Sequence, residues 1–144
     1  MRCNCLKPYK IPNTLFYNPA KSNTYKMIDL KKGSLIGEMS AVKRKDLYLQ
    51  SLYINPEYRR QGYGNKFLDF AVNLSEKFGL EGNLRLLAGL TNKDLKNPPH
   101  IFYRKYGFTS RDKKILKYID KCIKKERQAS PLTDPIYMYY QKKH

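Results

Sequence analysis

Residues 52–65 read LYINPEYRRQGYGN. An apolar run ends sharply at Asn55-Pro56, glycines follow at Gly62 and Gly64, and Phe67, Leu68, Ala71, Val72 and Leu74 then recur at helical spacing until Gly79, a natural helix stop. The order strand, glycine turn, helix carries chemistry. A helix amino terminus presents unpaired N–H groups and about half a positive charge, and glycines let a diphosphate approach the main chain closely. Neither the G-x-G-x-x-G of dinucleotide sites nor the G-x-x-x-x-G-K-[ST] of P-loops is present. The alternative is a glycine loop that only turns the chain.

Upstream, Tyr25 to Leu30, Ser34 to Val42 and Leu47 to Ile54 are apolar runs separated by Lys32-Gly33 and by the charged segment Lys43 to Asp46. That is the pattern of an antiparallel meander. Residues 1 to 23, punctuated by Pro8, Pro12 and Pro19, have room for at most one short strand, at Leu15 to Tyr17. Downstream of the Gln61 to Phe78 helix, the pattern predicts a strand at Leu84 to Ala88, a short helix at His100 to Tyr106 after Pro98-Pro99, and a strand at Phe108 to Ser110. Ile115, Tyr118, Ile119, Cys122 and Ile123 form an apolar stripe between lysines, which predicts an amphipathic helix over about 112–128. Pro135 to Gln141 closes the chain as a last strand. The sum is an α/β (α+β) sandwich around a mixed sheet, with no repeat or linker to divide it.

The pattern R-x-x-G-x-G at Arg59 to Gly64, preceded by Ile54-x-Pro56-x-Tyr58, resembles the coenzyme A motif of the GNAT-type N-acetyltransferases. A second piece follows in the same order: Ile101-Phe-Tyr103-Arg-Lys-Tyr-Gly107-Phe108 resembles that family's short helix ending in Y-x-x-x-G-F. The resemblance covers roughly residues 24–110 plus the final strand. It implies a single acetyltransferase-like domain over 1–144 and a mixed, mostly antiparallel sheet splayed between its fourth and fifth strands, with helices on both faces. It also implies acetyl-coenzyme A as cofactor, without a metal. The main chain of Leu52, Tyr53 and Ile54 would then run beside the pantetheine arm, and Arg59, Arg60, Gln61, Gly62, Tyr63, Gly64 and Asn65 would hold the pyrophosphate. Tyr103 would sit near the thioester sulfur as a proton donor, its alternative reading being a core aromatic. The Asn usually found before the short helix corresponds to Asn97 or Asn92. The chain departs from the family in its shortened N-terminal region, too small for the usual two helices of the acceptor pocket, and in the extra helix before the last strand. That helix is expected to replace the missing wall.

The chain has 144 residues and a net charge of +17, with 41% hydrophobic and 13% aromatic residues. Such a length suits one packed core, and the apolar content excludes the disordered class. The charge favours phosphates, nucleic acid or acidic partners, or it reflects lysines that solvate the surface. Cys3, Cys5 and Cys122 form no disulfide framework, which suits the cytoplasm; with only His100 and His144 available, a zinc site at Cys3 and Cys5 is not expected. No run approaches the ~18 apolar residues of a membrane span.

Attack on a thioester requires a neutral amine. Glu38, a carboxylate inside an apolar strand, is the candidate base, and an ordinary ion-pair partner for Lys or Arg is its other reading. The N–H of Tyr53 or Ile54 would stabilise the oxyanion. The expected activity is transfer of acetyl from acetyl-coenzyme A to a primary amine of a small molecule, peptide or protein, by a monomer or homodimer. The rivals are a basic nucleic-acid- or ribosome-binding module, for which no RNP, KH or zinc-finger pattern is present, and a coenzyme A-binding protein without turnover.

Overall fold

The computed structural model describes residues 14–19, 22–88, 99–124 and 135–142. Six strands form one sheet in chain order: β1 (Thr14–Tyr17), β2 (Thr24–Asp29), β3 (Leu35–Lys43), β4 (Leu47–Ile54), β5 (Leu84–Ala88) and β6 (Ile136–Tyr140). All neighbours are antiparallel except β4 and β5. That parallel step follows from the connection, because a parallel pair needs a long crossover, and the helix α1 (Tyr63–Lys77) provides it. Two further helices, α2 (Pro99–Tyr106) and α3 (Lys113–Lys124), precede β6. The mixed, mostly antiparallel sheet expected from the sequence is present, with β4 and β5 at the expected bounds.

One expected strand is absent. Phe108 to Ser110 is reduced to a single bridge between Thr109 and Tyr139. The N–H groups of Gly107 and Phe108 close the end of α2 on the Tyr103 carbonyl, at 3.2 and 3.0 Å, and Asp112 already caps α3 through its side chain to the Ile115 N–H at 3.1 Å. Too few backbone groups are left between two helix ends for a ladder.

Register sorts the side chains into two faces, since residues directly opposite each other share a face and neighbours alternate. Phe16, Met27, Gly37 and Ile54 align across β1 to β4, as do Tyr25, Met39 and Leu52. These meet α1: Phe16 stacks on Phe70 at 4.3 Å and stands edge-on to Phe67 at 5.1 Å, and a Cβ at Gly37 would come within 3.1 Å of the Phe67 ring. Phe67, Leu68, Ala71, Met27 and Met39 are wholly buried here. Burial of each large side chain stabilises the fold by roughly 1.5–3 kcal/mol.

The alternate residues face away from α1. Tyr17, Lys26, Glu38 and Tyr53 make one row, and Thr24, Ser40 and Ser51 the next. Only residues 18–23 join β1 to β2, so no helix pair is inserted there to cover this face. The helices lie elsewhere. The α2 helix joins α1 on the buried face through Phe102, against which a Cβ at Gly64 would come to 2.8 Å, and through a 2.7 Å hydrogen bond from the Tyr106 hydroxyl to Asp69. The α3 helix docks on α2, where Asp120 accepts two hydrogen bonds from Arg104 at 2.7 and 3.2 Å. Among the described residues, α1 and α2 therefore pack on one face of the sheet, and α3 is held against α2. Residues 125–128 of the expected helix lie outside the described segments. No described helix is long and apolar enough to cross a membrane.

Candidate active site

The opening lies between β4 and β5. Their pairing runs only from Leu47↔Leu84 to Leu49↔Leu86, after which Gln50–Ile54 and Leu87–Ala88 have no partners across the gap. A bulge on β4, where Gln50 is left unmatched between Leu49↔Ala41 and Ser51↔Ser40, bends the strand where the two part. Asn55 fixes the far end of β4: its N–H donates to the Ile36 carbonyl at 2.8 Å and its side-chain amide to the Leu35 carbonyl.

Backbone alternation then assigns directions. With Asn55 turned to β3, Tyr53 also turns to β3, and its carbonyl oxygen lies where a Cβ at Gly37 would stand, 2.4 Å away. Leu52 and Ile54 consequently turn their peptide groups to the opening. Gly37, which no motif singled out, is what lets β3 and β4 approach so closely; only an isolated glycine inside a strand signals it in the sequence.

Beyond Asn55, a 3-10 turn at Pro56–Tyr58 leads into the glycine segment. The Tyr58 ring is buried; its hydroxyl donates to Asp29 at 3.1 Å and pairs with the Ser34 hydroxyl at 2.5 Å, anchoring the turn to the β2–β3 hairpin. Arg60 (φ 62) and Gly62 (φ 88) are left-handed, so the chain curls before α1. Such alternation of handedness turns successive N–H groups into one concavity that suits an anion. Gly62 is the N-cap and makes no side-chain cap, and the first turn of α1 holds no acidic residue. The first-turn N–H groups of Tyr63, Gly64 and Asn65 thus face a site without a competing acceptor from the cap, where the helix dipole favours a phosphate. These residues fit a diphosphate.

The other residues of the motif act on the protein. Arg59 reaches back to β4, its Nε donating to the Ile54 carbonyl at 2.8 Å with its guanidinium 5.4 Å from the Tyr53 ring centre, and Gln61 donates to the Glu57 carbonyl at 2.9 Å. Gly64 has a packing duty as well, because Phe102 occupies the space of a side chain there. The two motifs are thereby in direct contact.

Tyr103 stands between Phe102 at 5.2 Å and Phe108 at 5.4 Å, and burial pushes its hydroxyl up to about 12. It is a phenol that stays protonated over the whole physiological range. His100, one turn earlier, is buried, its imidazole held below the ordinary value by burial, and its Nε2 has no partner among the described residues. Glu38 lies on the opposite face, flanked across the ladder by Lys26 and Tyr53. It is one strand from the opening, about 4.8 Å in the sheet plane. Tyr103 and Glu38 therefore stand on opposite sides of the sheet, with the gap in it beside β4. Asn92, Asn97, Cys3 and Cys5 lie outside the described residues, as do Lys125 to Asp134. Among the described residues no group of three or more His, Cys, Asp or Glu is placed to hold a metal.

Comparison with known proteins agrees with this architecture. Residues 23–110 match a family described as the acetyltransferase (GNAT) domain. A zebrafish (Danio rerio) protein, N-alpha-acetyltransferase 50, is 35% identical over 65 residues, which span 45% of this chain and 36% of that protein. Among solved structures, the PaiA N-acetyltransferase of Thermoplasma acidophilum in complex with coenzyme A superposes with a TM-score of 0.57 at 20% identity, over 83% of this chain and 60% of that one. An acetyltransferase of Bacillus subtilis in complex with coenzyme A gives 0.57 at 12% identity, over 83% and 76%. At these identities the structural likeness speaks for the fold.

Proposed function

Since the chain belongs to the GNAT acetyltransferase family, we propose that it moves an acetyl group from acetyl-coenzyme A to a primary amine by direct attack. Acetyl-coenzyme A supplies an activated acyl group as a thioester. The observation that carries this reading is the uncapped, glycine-curled start of α1 in contact with α2, which brings an anion site and a partly buried phenol to one end of the sheet. In this reading the N–H groups of Tyr63, Gly64 and Asn65, with the turn from Arg60 to Gly62, hold the diphosphate. Arg59 positions β4, and the Leu52 and Ile54 peptides align the pantetheine arm.

A lysine-like amine, with a pKa of about 10.4, must lose a proton at a cost of roughly 4–5 kcal/mol at pH 7 before it can attack. Glu38 accepts that proton, directly or through water, from the open face of the sheet. The Ile54 N–H, turned to the opening, takes up the charge that develops on the carbonyl oxygen. From the helix face Tyr103 gives its proton to the thiolate as the carbon–sulfur bond breaks, and is reprotonated from solvent. Among the described residues no helix of the β1–β2 connection walls this face, which suits an extended acceptor. The relative's name makes a polypeptide α-amine the first acceptor to try. We place the reaction in the cytoplasm.

Titration calorimetry with coenzyme A, followed by thiol release over a panel of peptide and small amines, tests this. Micromolar binding that Gly62→Val abolishes, together with thiol release for at least one amine, is expected. Normal affinity in Gly62→Val removes the glycine turn from the site, and binding without release for any amine leaves a coenzyme A-binding protein without turnover.

A further inference from the structure

Arginines stack on tyrosines across one face of the sheet. Arg85 lies 4.6 Å from the Tyr48 ring centre and 5.4 Å from that of Tyr137, Arg111 lies 4.5 Å from that of Tyr139, and Arg59 covers Tyr53 at 5.4 Å. Register puts these tyrosines on the face turned away from α1: Tyr48 pairs with Val42 and Arg85, Arg85 with Tyr139, and Leu87 with Tyr137. Tyr17, Tyr53, Leu87 and Tyr137 remain 39, 47, 43 and 45% exposed there. Leu87 and Tyr137 are direct cross-strand neighbours, and an exposed apolar pair beside stacked arginines suits an interaction site.

We propose that this face, centred on Tyr48, Arg85, Tyr137, Tyr139 and Arg111, binds single-stranded nucleic acid, with bases stacked on the exposed tyrosine and the guanidinium planes beside it and phosphates paired with Arg111. The chemistry is that of a stacking platform, flat π surfaces interleaved with cations on a rigid sheet, which takes up splayed bases with little sequence preference. Charge selects the occupant. The chain has 29 Lys and Arg against 12 Asp and Glu, and Asp46, the acid beside the patch, is engaged by Arg85 at 3.2 Å. A polyanion is drawn to such a surface and a second +17 copy is repelled. An apolar protein partner fits poorly, because Lys26, Glu38, Ser40 and Ser51 interrupt the same face with polar groups. The site lies across the sheet from the glycine turn, so it stands whether or not the chain transfers acetyl groups.

The test is fluorescence anisotropy of the full chain with a fluorescein-labelled 12-nucleotide oligouridylate, from 50 to 300 mM salt. Saturable binding that weakens linearly on logarithmic axes is expected. Tyr137→Ala should weaken it about tenfold at every salt concentration, through lost stacking, while Tyr137→Phe binds as the parent. Arg111→Gln should lower the salt slope by about 0.7. A Lys113→Gln, Lys114→Gln double variant on α3, of equal or greater charge loss but off the face, should stay within about threefold of the parent. Melting by circular dichroism verifies that each variant is folded. If Tyr137→Ala does not fold, Arg111→Gln and the α3 control carry the decision. Absence of binding at 50 mM salt, equal losses in the α3 control, or equal competition by polyglutamate overturns the proposal. So does sedimentation of a dimer that Tyr137→Ala dissociates.

Discussion

Tyr103 is partly buried and its hydroxyl is desolvated, and two consequences follow. As a proton donor its loss in Tyr103→Phe is expected to lower turnover by roughly 100-fold or more, the usual range for one acid–base group, while coenzyme A affinity by calorimetry stays unchanged. Because its pKa is pushed up to about 12, the donor remains charged with its proton, and kcat/KM should show no loss from this group below about pH 11. The same shift has a sign for stability: the folded state holds the proton more tightly than the unfolded one. The contribution is full below the ordinary phenol value of 10 and is lost as pH rises through about 12. His100 runs the other way. Its pKa is lowered by burial, so its share of stability is present above the unfolded value of 6.5 and is lost as pH falls below it. Melting temperature should drop between pH 6.5 and 5, and His100→Gln should flatten that drop; an unchanged slope would show that other groups govern acid sensitivity. The motif of Tyr103 foretold its place on a short helix, and Glu38 lies within the strand its apolar run foretold. That Glu38 stands between Lys26 and Tyr53, away from α1, was not legible, because strand pairing is a property of the sheet and no local pattern encodes it.

At the scale of elements, the contact between α1 and α2 rests on the missing side chain of Gly64. A Cβ there would stand 2.8 Å from the Phe102 ring, so Gly64→Ala should force the helices apart and cost about 1–3 kcal/mol in denaturant unfolding. Phe102→Leu in the same chain should restore part of it, whereas a glycine needed only for phosphate approach would lose affinity and keep its stability. Strand β4 and helix α1 were readable because each has a clear apolar pattern and a sharp stop, at Asn55-Pro56 and Gly79. Phe108 to Ser110 misled because its apolar and β-branched residues mimic a strand, while the hydrogen bonds it would need are taken by the ends of α2 and α3. The stripe of α3 foretold a helix correctly, since Ile119 and Cys122 are buried. A stripe states that a helix has a partner and leaves open which one, and the partner is α2.

For the molecule as a whole, the sequence showed the charge and the two motifs but gave no sign that, among the described residues, α1 and α2 pack on one face of the sheet, because the short β1–β2 connection reads only as a loop. The parting of β4 from β5 was implied by resemblance alone. It is also the feature with the widest reach. Beyond Leu49 and Leu86 the sheet is two leaves joined along three residue pairs, like a book held by the lower part of its spine. The Leu52 peptide and the Ile54 N–H on the inner margin depend on water or a guest for their hydrogen bonds, while the Ile54 carbonyl is taken by Arg59. Their amides should exchange with deuterium faster than that of Tyr53, which faces β3, and coenzyme A should slow Leu52 and Ile54 selectively while raising the melting temperature. In the proposed reaction a guest lying between the leaves then serves as a temporary seventh strand, and the rigidity of that end of the sheet is supplied, turnover by turnover, by the molecule being consumed.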